Sequence, residues 1–223
     1  AAHGQEADVL FAKGLRPDII FCDLRLPGNE NGLDLLLSEI INRRDSLRRF
    51  IDLARFGPDE SDRAFAPLFT EFGFAADETA ERIAERVWPL PGFSPKEFED
   101  FSHAAKAADA SAVLGNILPD AMAAFQEPDA LRRFALLVGG FLKKDGDPYG
   151  ERTFTKNLRA RMPDVLDRYA AASAALMETR DRLALYRMLE GTAAALTIAD
   201  RLIGRYEHLK TGRGFLDFND LIT

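Results

Sequence analysis

Cysteine and histidine are nearly absent from the 223 residues: Cys22 stands alone, with His3, His103 and His208 as the three imidazoles. One thiol cannot form an internal disulfide, and so sparse a set excludes a Cys/His zinc framework. Long apolar runs are missing too. None approaches the ~20 residues of a membrane span, and no basic start followed by an apolar stretch suggests a signal peptide. Positive charge is not in excess either, since 29 basic against 36 acidic residues leave a formal charge of −7. An acidic chain has no overall attraction for nucleic acid, so any such contact must be local. Hydrophobic residues make up 47% and charged residues 29%, a composition that excludes global disorder and suits one large or two small domains. The expected compartment is the cytoplasm. The chain opens on Ala1 rather than Met, as expected of a sequence whose start lies upstream.

Near the amino terminus, Ile19-Ile20-Phe21-Cys22 is a short continuous apolar run of the buried-strand kind. Asp23 ends it, Leu24 to Gly28 leave it as a loop, and Gly32 and Leu33 open an apolar helix. Two readings follow: a strand and turn without chemistry, or an acid at the carboxyl end of a strand, where reactive groups of α/β sheets lie. The string P-D-I-I-F-C-D-L-R-L-P-G-N-E-N-G-L, residues 17–33, resembles the middle of a response-regulator receiver domain. That resemblance implies a phospho-acceptor role for Asp23. The family's acidic pair, its later Ser/Thr and its Lys have no counterpart here. Without the acids, no Mg²⁺ site offsets phosphate charge at Asp23.

From about Leu35 the pattern is helical nearly throughout. Leu36, Ile40, Ile41, Leu47, Phe50, Ile51 and Leu53 recur at helical spacing. Arg43, Arg44, Arg48 and Arg49 occupy other faces, with Glu39, Asp45 and Asp52 interleaved, and are expected to form a solvated face. Asp62 to Phe72 and Asp77 to Trp88 read as two short helices separated by Gly73-Phe74. Ser94-Pro95-Lys96-Glu97 is a capping box with proline at the first helical position. A helix to about Ala108 follows, in which His103 is expected to be partly buried. Residues 110–125 continue in helix with an interruption near Pro119, and Pro128 to Leu142 form another.

Residues 131–161 differ in charge. Arg132, Arg133, Lys143, Lys144, Arg152, Lys156, Arg159 and Arg161 against Asp145, Asp147 and Glu151 leave a local net charge of +5. Lys143 to Pro148 is predicted to be a turn, and Thr153 to Arg159 the start of a helix. Guanidinium, ammonium, hydroxyl and amide donors beside a turn suit backbone phosphates. A solvated charged loop is the other reading of the same residues.

Pro163 to Lys210 carries its apolar residues, Tyr169, Leu176, Leu183, Tyr186, Leu196 and Ile203 among them, on one side. Abundant alanine favours helix, and Gly191 predicts two helices in succession rather than one. The tyrosines read as core. Thr211-Gly212-Arg213-Gly214 is a break, after which Asp217 and Asp220 suit the N-cap and first-turn acid of a further helix.

The ending, Tyr206 and Lys210 followed by L-D-F-N-D-L-I, resembles the segment before the Walker B strand of UvrD/RecB-type superfamily 1 DNA helicases, with Asn219 where that family usually has Asp. Together with I-N-R-R-D-S-L-R-R-F-I at Ile41 to Ile51, and F-L-K-K-D-G-D-P with F-T-K-N-L-R-A-R-M-P-D between Phe141 and Asp164, it resembles the 1B region of AddA-type double-strand-break repair helicase-nucleases. The resemblance implies a mainly α fold, a helical accessory 1B-like domain preceded by a short α/β-like strand-turn segment. The domain reading is 1–34 receiver-like, 35–215 helical 1B-like, and 216–223 the approach to a Walker B strand.

It further implies DNA contact through Lys143, Lys144, Arg152, Lys156, Arg159 and Arg161. ATP, Mg²⁺ and an AddB-like partner subunit are implied for the full-length family. No G-x-x-x-x-G-K-S/T string occurs, and no D-E-x-Q-D follows before Thr223, so no catalytic residue, metal ligand or ATPase activity is expected of this chain alone. Two rival functions stand beside this one: a signalling protein using Asp23, and a helical interaction module without either activity.

Overall fold

A computed structural model of the chain describes residues 32–55 and 65–214, with side chains in the first stretch from residue 37. The receiver-like string with Asp23, and the L-D-F-N-D-L-I ending, lie outside the described residues. The fold is mainly α. In chain order the helices are α1 (Gly32–Asn42), α2 (Arg44–Arg55), α3 (Ala66–Glu71), α4 (Ala80–Glu85), α5 (Pro95–Ala107), α6 (Ser111–Asn116), α7 (Leu118–Gln126) and α8 (Ala130–Phe141). A 3₁₀ turn (Glu151–Thr153), α9 (Lys156–Arg161) and α10 (Val165–Arg213) complete them.

Local chemistry explains most of these boundaries. Thr79, Asp129 and Thr155 each accept, through a side-chain oxygen, the backbone N–H three residues on, which satisfies an orphan donor of α4, α8 and α9 respectively. At α5, Glu97 accepts from the Ser94 N–H at 2.9 Å, with Pro95 at the first position, as the capping box predicts. The hydroxyl and amide of Ser94 hold the Glu97 carboxyl below its ordinary pKa. Pro119 sits in the first turn of α7 and separates it from α6. Gly73, at φ +75°, turns the chain between α3 and α4.

The described residues form two compact units, Phe69–Glu190 and the residues up to Leu68 together with those from Gly191. In Phe69–Glu190, α7 packs on α8, α4 on α8 and α9 on α5. Its core is aromatic. Phe93 stands edge-on to both Phe101 and Phe141 at 5.2 Å, while Phe98 stacks on Phe125 at 4.3 Å. The other unit buries Ile51, Phe65, Leu196 and Ala199 against Ile40, Leu47 and Ala54.

Several expectations are corrected. The tract from Pro163 is one continuous helix of 49 residues, not two: Gly191 lies inside α10. One interior glycine costs a helix about 1 kcal/mol relative to alanine, and Ala193-Ala194-Ala195 follow at once. The glycine coincides instead with the boundary between units. The helix ends within the break predicted over Thr211 to Gly214, at its last residue, with Gly214 at φ +66° after Arg213. The arginines of α1 and α2 are not a simple solvated face. Arg43 pairs with Glu39 as its spacing allows, but Arg44 is buried with its guanidinium 5.5 Å over the Tyr206 ring. Arg48 reaches Asp200 at 2.9 Å and Glu207 at 2.8 Å, two acids seven residues apart on one face of α10, and Arg55 joins Asp200 at 2.6 Å. His103 is exposed rather than partly buried, because Phe98, Phe101, Ser102 and Ala105 take the inward face of α5.

Candidate nucleic-acid interface

The basic stretch is built on a pegged turn. Leu142 and Pro148 form an antiparallel bridge, with Lys143 N–H donating to Asp147 O at 2.8 Å and Gly146 N–H to Lys143 O at 2.9 Å. Gly146 sits at φ +86°, a conformation that favours glycine, and the Arg180 guanidinium donates to its carbonyl O at 3.0 Å. The second peg is Tyr169 of α10. Its hydroxyl donates to Phe141 O and accepts from Tyr149 N–H, both at 2.6 Å, and its ring lies 4.7 Å from that of Phe154. Tyr169 is 5% exposed, and burial pushes its phenol up to about 12, so it stays a protonated donor across the neutral range. The end of α8, the turn and the run into α9 are thus all referred to one side chain.

On this support Lys143, Lys144, Arg152, Lys156 and Arg161 are exposed and Arg159 is half-buried. None of the six takes an ion pair among the described residues. The Arg159 Nε is buried and lacks a hydrogen-bond partner among the described residues, as does the Nε of Arg182. In α9, Leu158 is buried, and Lys156 lies about 160° round the helix from it, so the lysine faces outward. Asp145 is exposed and accepts from Asp147 N–H at 3.1 Å.

Charge counting along the sequence misjudges one member of the stretch and misses one residue outside it. Arg133 is buried, ion-paired with Glu85, bonded to Glu127 O at 2.9 Å and set 4.9 Å over the Trp88 ring. It is structural and offers nothing to a ligand. Arg180, outside the basic window, belongs to the turn. Neither pairing has a local signal, since both partners lie tens of residues away.

Three clefts lie within Phe69–Glu190. One of about 490 Å³ adjoins the turn, with Tyr149, Glu151, Phe154, Asp167 and Met177 in its wall. Another, of about 300 Å³, is walled by Trp88, Phe98, Met122 and Phe125. The third, about 380 Å³, is lined by Arg86 and Arg182, both paired with the buried carboxylate of Glu78 at 2.9 and 3.3 Å. Glu78 also accepts from Ala75 N–H, and Arg182 stacks 4.5 Å over Phe74, so this cluster is structural.

The sequence holds no phosphate-binding loop, and the described residues hold no group of three or more His, Cys, Asp or Glu placed to ligate a metal. Among the described residues no helix is long and apolar enough to cross a membrane. Comparison of the chain with family models, curated proteins and solved structures finds no match.

Proposed function

We propose that the chain is a helical accessory region of an AddA-type double-strand-break repair helicase, acting in the cytoplasm, that contacts DNA backbone phosphates and catalyses nothing itself. ATP and Mg²⁺ belong to other parts of such a protein, as does the contact with an AddB-like subunit. The observation that carries the reading is the set of six cations without ion pairs among the described residues, on a turn and a short helix joined by a run that Tyr169 pegs at Tyr149 and Phe154. Cations left without protein partners on a fixed support are available to phosphates, and they give a local attraction that a net charge of −7 would otherwise oppose.

The test is binding of the chain to a duplex with a single-stranded tail across a salt series, beside a variant carrying Arg152→Ala, Lys156→Ala, Arg159→Ala and Arg161→Ala. Salt-sensitive binding is expected, with the logarithmic slope shallower in the variant by about 0.7–0.9 for each phosphate no longer neutralised. A folded wild-type sample that does not bind at low salt overturns the reading.

A further inference from the structure

The cleft of about 490 Å³ beside the turn falls in the range of about 300–1,000 Å³ typical of small-ligand sites. It is an odd neighbour for a phosphate-binding surface, because two of its wall residues, Glu151 and Asp167, are exposed carboxylates. Neither takes an ion pair or a side-chain hydrogen bond among the described residues. A phosphate would be repelled from them. An uncharged group bearing N–H donors would not, since an ionised carboxylate only accepts. Most of the rest of the wall is apolar, with Leu166, Met177 and the half-buried Tyr149, while Phe154 and Tyr169 are almost fully buried and the Ser173 hydroxyl donates to Tyr169 O. Tyr149 is held in place by its own backbone, whose N–H is bonded to the Tyr169 hydroxyl.

The same loop that lines the cleft carries cations. Pro148, Tyr149, Glu151 and Phe154 belong to the wall, Arg152 lies between them in sequence, and Lys143 and Lys144 enter the turn that ends at Pro148. Cations that attract a strand's backbone and carboxylates that repel it therefore alternate along this loop. Resting on the reading of this surface as a DNA contact, we propose that the cleft receives one unstacked base of single-stranded DNA and prefers bases with an exocyclic amino group to thymine. The half-buried ring of Tyr149 can stack on any base, whereas the carboxylates accept from the amino groups of cytosine, adenine and guanine. Thymine offers carbonyl oxygens in those positions, and carboxylates repel them.

The experiment uses one duplex with tails of oligo-dC, oligo-dT or an abasic backbone, and measures Kd by fluorescence anisotropy across salt. Cytosine and thymine are both pyrimidines, so their comparison isolates the edge from the stacking surface. The oligo-dC tail is expected to bind about tenfold more tightly than oligo-dT, the discrimination of one good hydrogen-bonded base contact. Changing Glu151→Gln and Asp167→Asn together should abolish that ratio and leave the salt slope unchanged. Tyr149→Ala should weaken both pyrimidine tails towards the abasic one. Glu151 and Asp167 are exposed and Tyr149 is half-buried, and a thermal melt of each variant checks that it folds.

Equal Kd values for dC, dT and abasic tails, with salt-sensitive binding retained, would overturn the cleft proposal while leaving the phosphate-contact reading intact. Absence of salt-sensitive binding to any tail overturns both, a pattern distinct from the first.

Discussion

In the unit formed by residues up to Leu68 and from Gly191, Arg48 and Arg55 converge on Asp200, and Arg44 lies buried over Tyr206. In the Phe69–Glu190 unit, Lys143, Lys144, Arg152, Lys156, Arg159 and Arg161 meet no carboxylate among the described residues. The two basic stretches look alike as sequence: each has arginines in close succession with acids interleaved. What separates them is the element opposite. α10 brings Asp200 and Glu207 to α2, whereas the turn before α9 is met by Tyr169, a residue that bonds backbone and leaves the cations alone. Even within Phe69–Glu190 the distinction holds, since Arg86, Arg133, Arg168 and Arg182 all face carboxylates. A basic residue is available to a ligand when the fold gives it no acid, and composition does not report that.

The largest effect on stability is expected at Glu78, a buried carboxylate with two arginine partners. Its side chain is 1% exposed between Arg86 and Arg182. Glu78→Ala empties a buried site and strips the acceptor from Ala75 N–H and the partner from two guanidinium groups that are themselves a third or more exposed, and is expected to destabilise Phe69–Glu190 by about 3 kcal/mol. Urea unfolding followed by the fluorescence of Trp88, the single tryptophan, reads that unit directly. A change below about 0.5 kcal/mol, the level of an ordinary surface substitution, would break the contrast between committed and uncommitted cations.

Tyr169→Phe comes next. It removes a donor from Phe141 O and an acceptor from Tyr149 N–H, and is expected to cost about 2 kcal/mol in the same assay. Its pH dependence gives an independent reading. The folded phenol titrates near 12 against 10.0 in the unfolded chain, so between those values the unfolded state loses its proton first and gains. Tyr169 therefore stabilises fully below pH 10, and its contribution disappears as pH rises towards 12. The stability gap between wild type and Tyr169→Phe should narrow over that window; a gap that is constant from pH 8 to 12 contradicts the buried phenol.

Asp200→Ala should act on the other unit, and more weakly, because Arg48 and Arg55 are about a third exposed. About 1 kcal/mol is expected, the upper end for partly solvated pairs. Faster amide hydrogen exchange in α2, with Trp88 fluorescence unchanged, is the predicted signature.

Much of this was legible along the chain where the signal is local. The Ser94-Pro95-Lys96-Glu97 box, the Gly73 turn, the Pro119 interruption and the Lys143–Pro148 turn are each set by residues within about one helical turn of each other, and each stands as read. So does the apolar side of α10, because 3.6-residue periodicity is a local property too. Tyr169 was legible as core but not as a peg. The Arg48–Asp200 and Arg48–Glu207 bonds span 152 and 159 residues, and Arg133–Glu85 spans 48. No spacing rule reaches that far, so the arginines of α2 read as solvated and Arg133 as part of the basic surface. Gly191 misled for a different reason: propensity is summed along a helix, and one unfavourable residue among alanines does not decide it.

The smallest expected effect is also the most discriminating. The fourfold variant Arg152→Ala, Lys156→Ala, Arg159→Ala and Arg161→Ala removes four charges from one short stretch, yet its stability should lie within about 0.5 kcal/mol of wild type. Lys156, Arg161 and Arg152 are exposed, and alanine is the better helix former at the two positions of α9 among them. Relief of mutual repulsion offsets the packing that the half-buried Arg159 stem gives up. A chain that keeps cations whose removal leaves stability unchanged keeps them for something outside itself. If the variant instead unfolds as readily as Glu78→Ala, these residues are structural after all, and the contrast between the two arginine-rich regions collapses together with the nucleic-acid reading built on it.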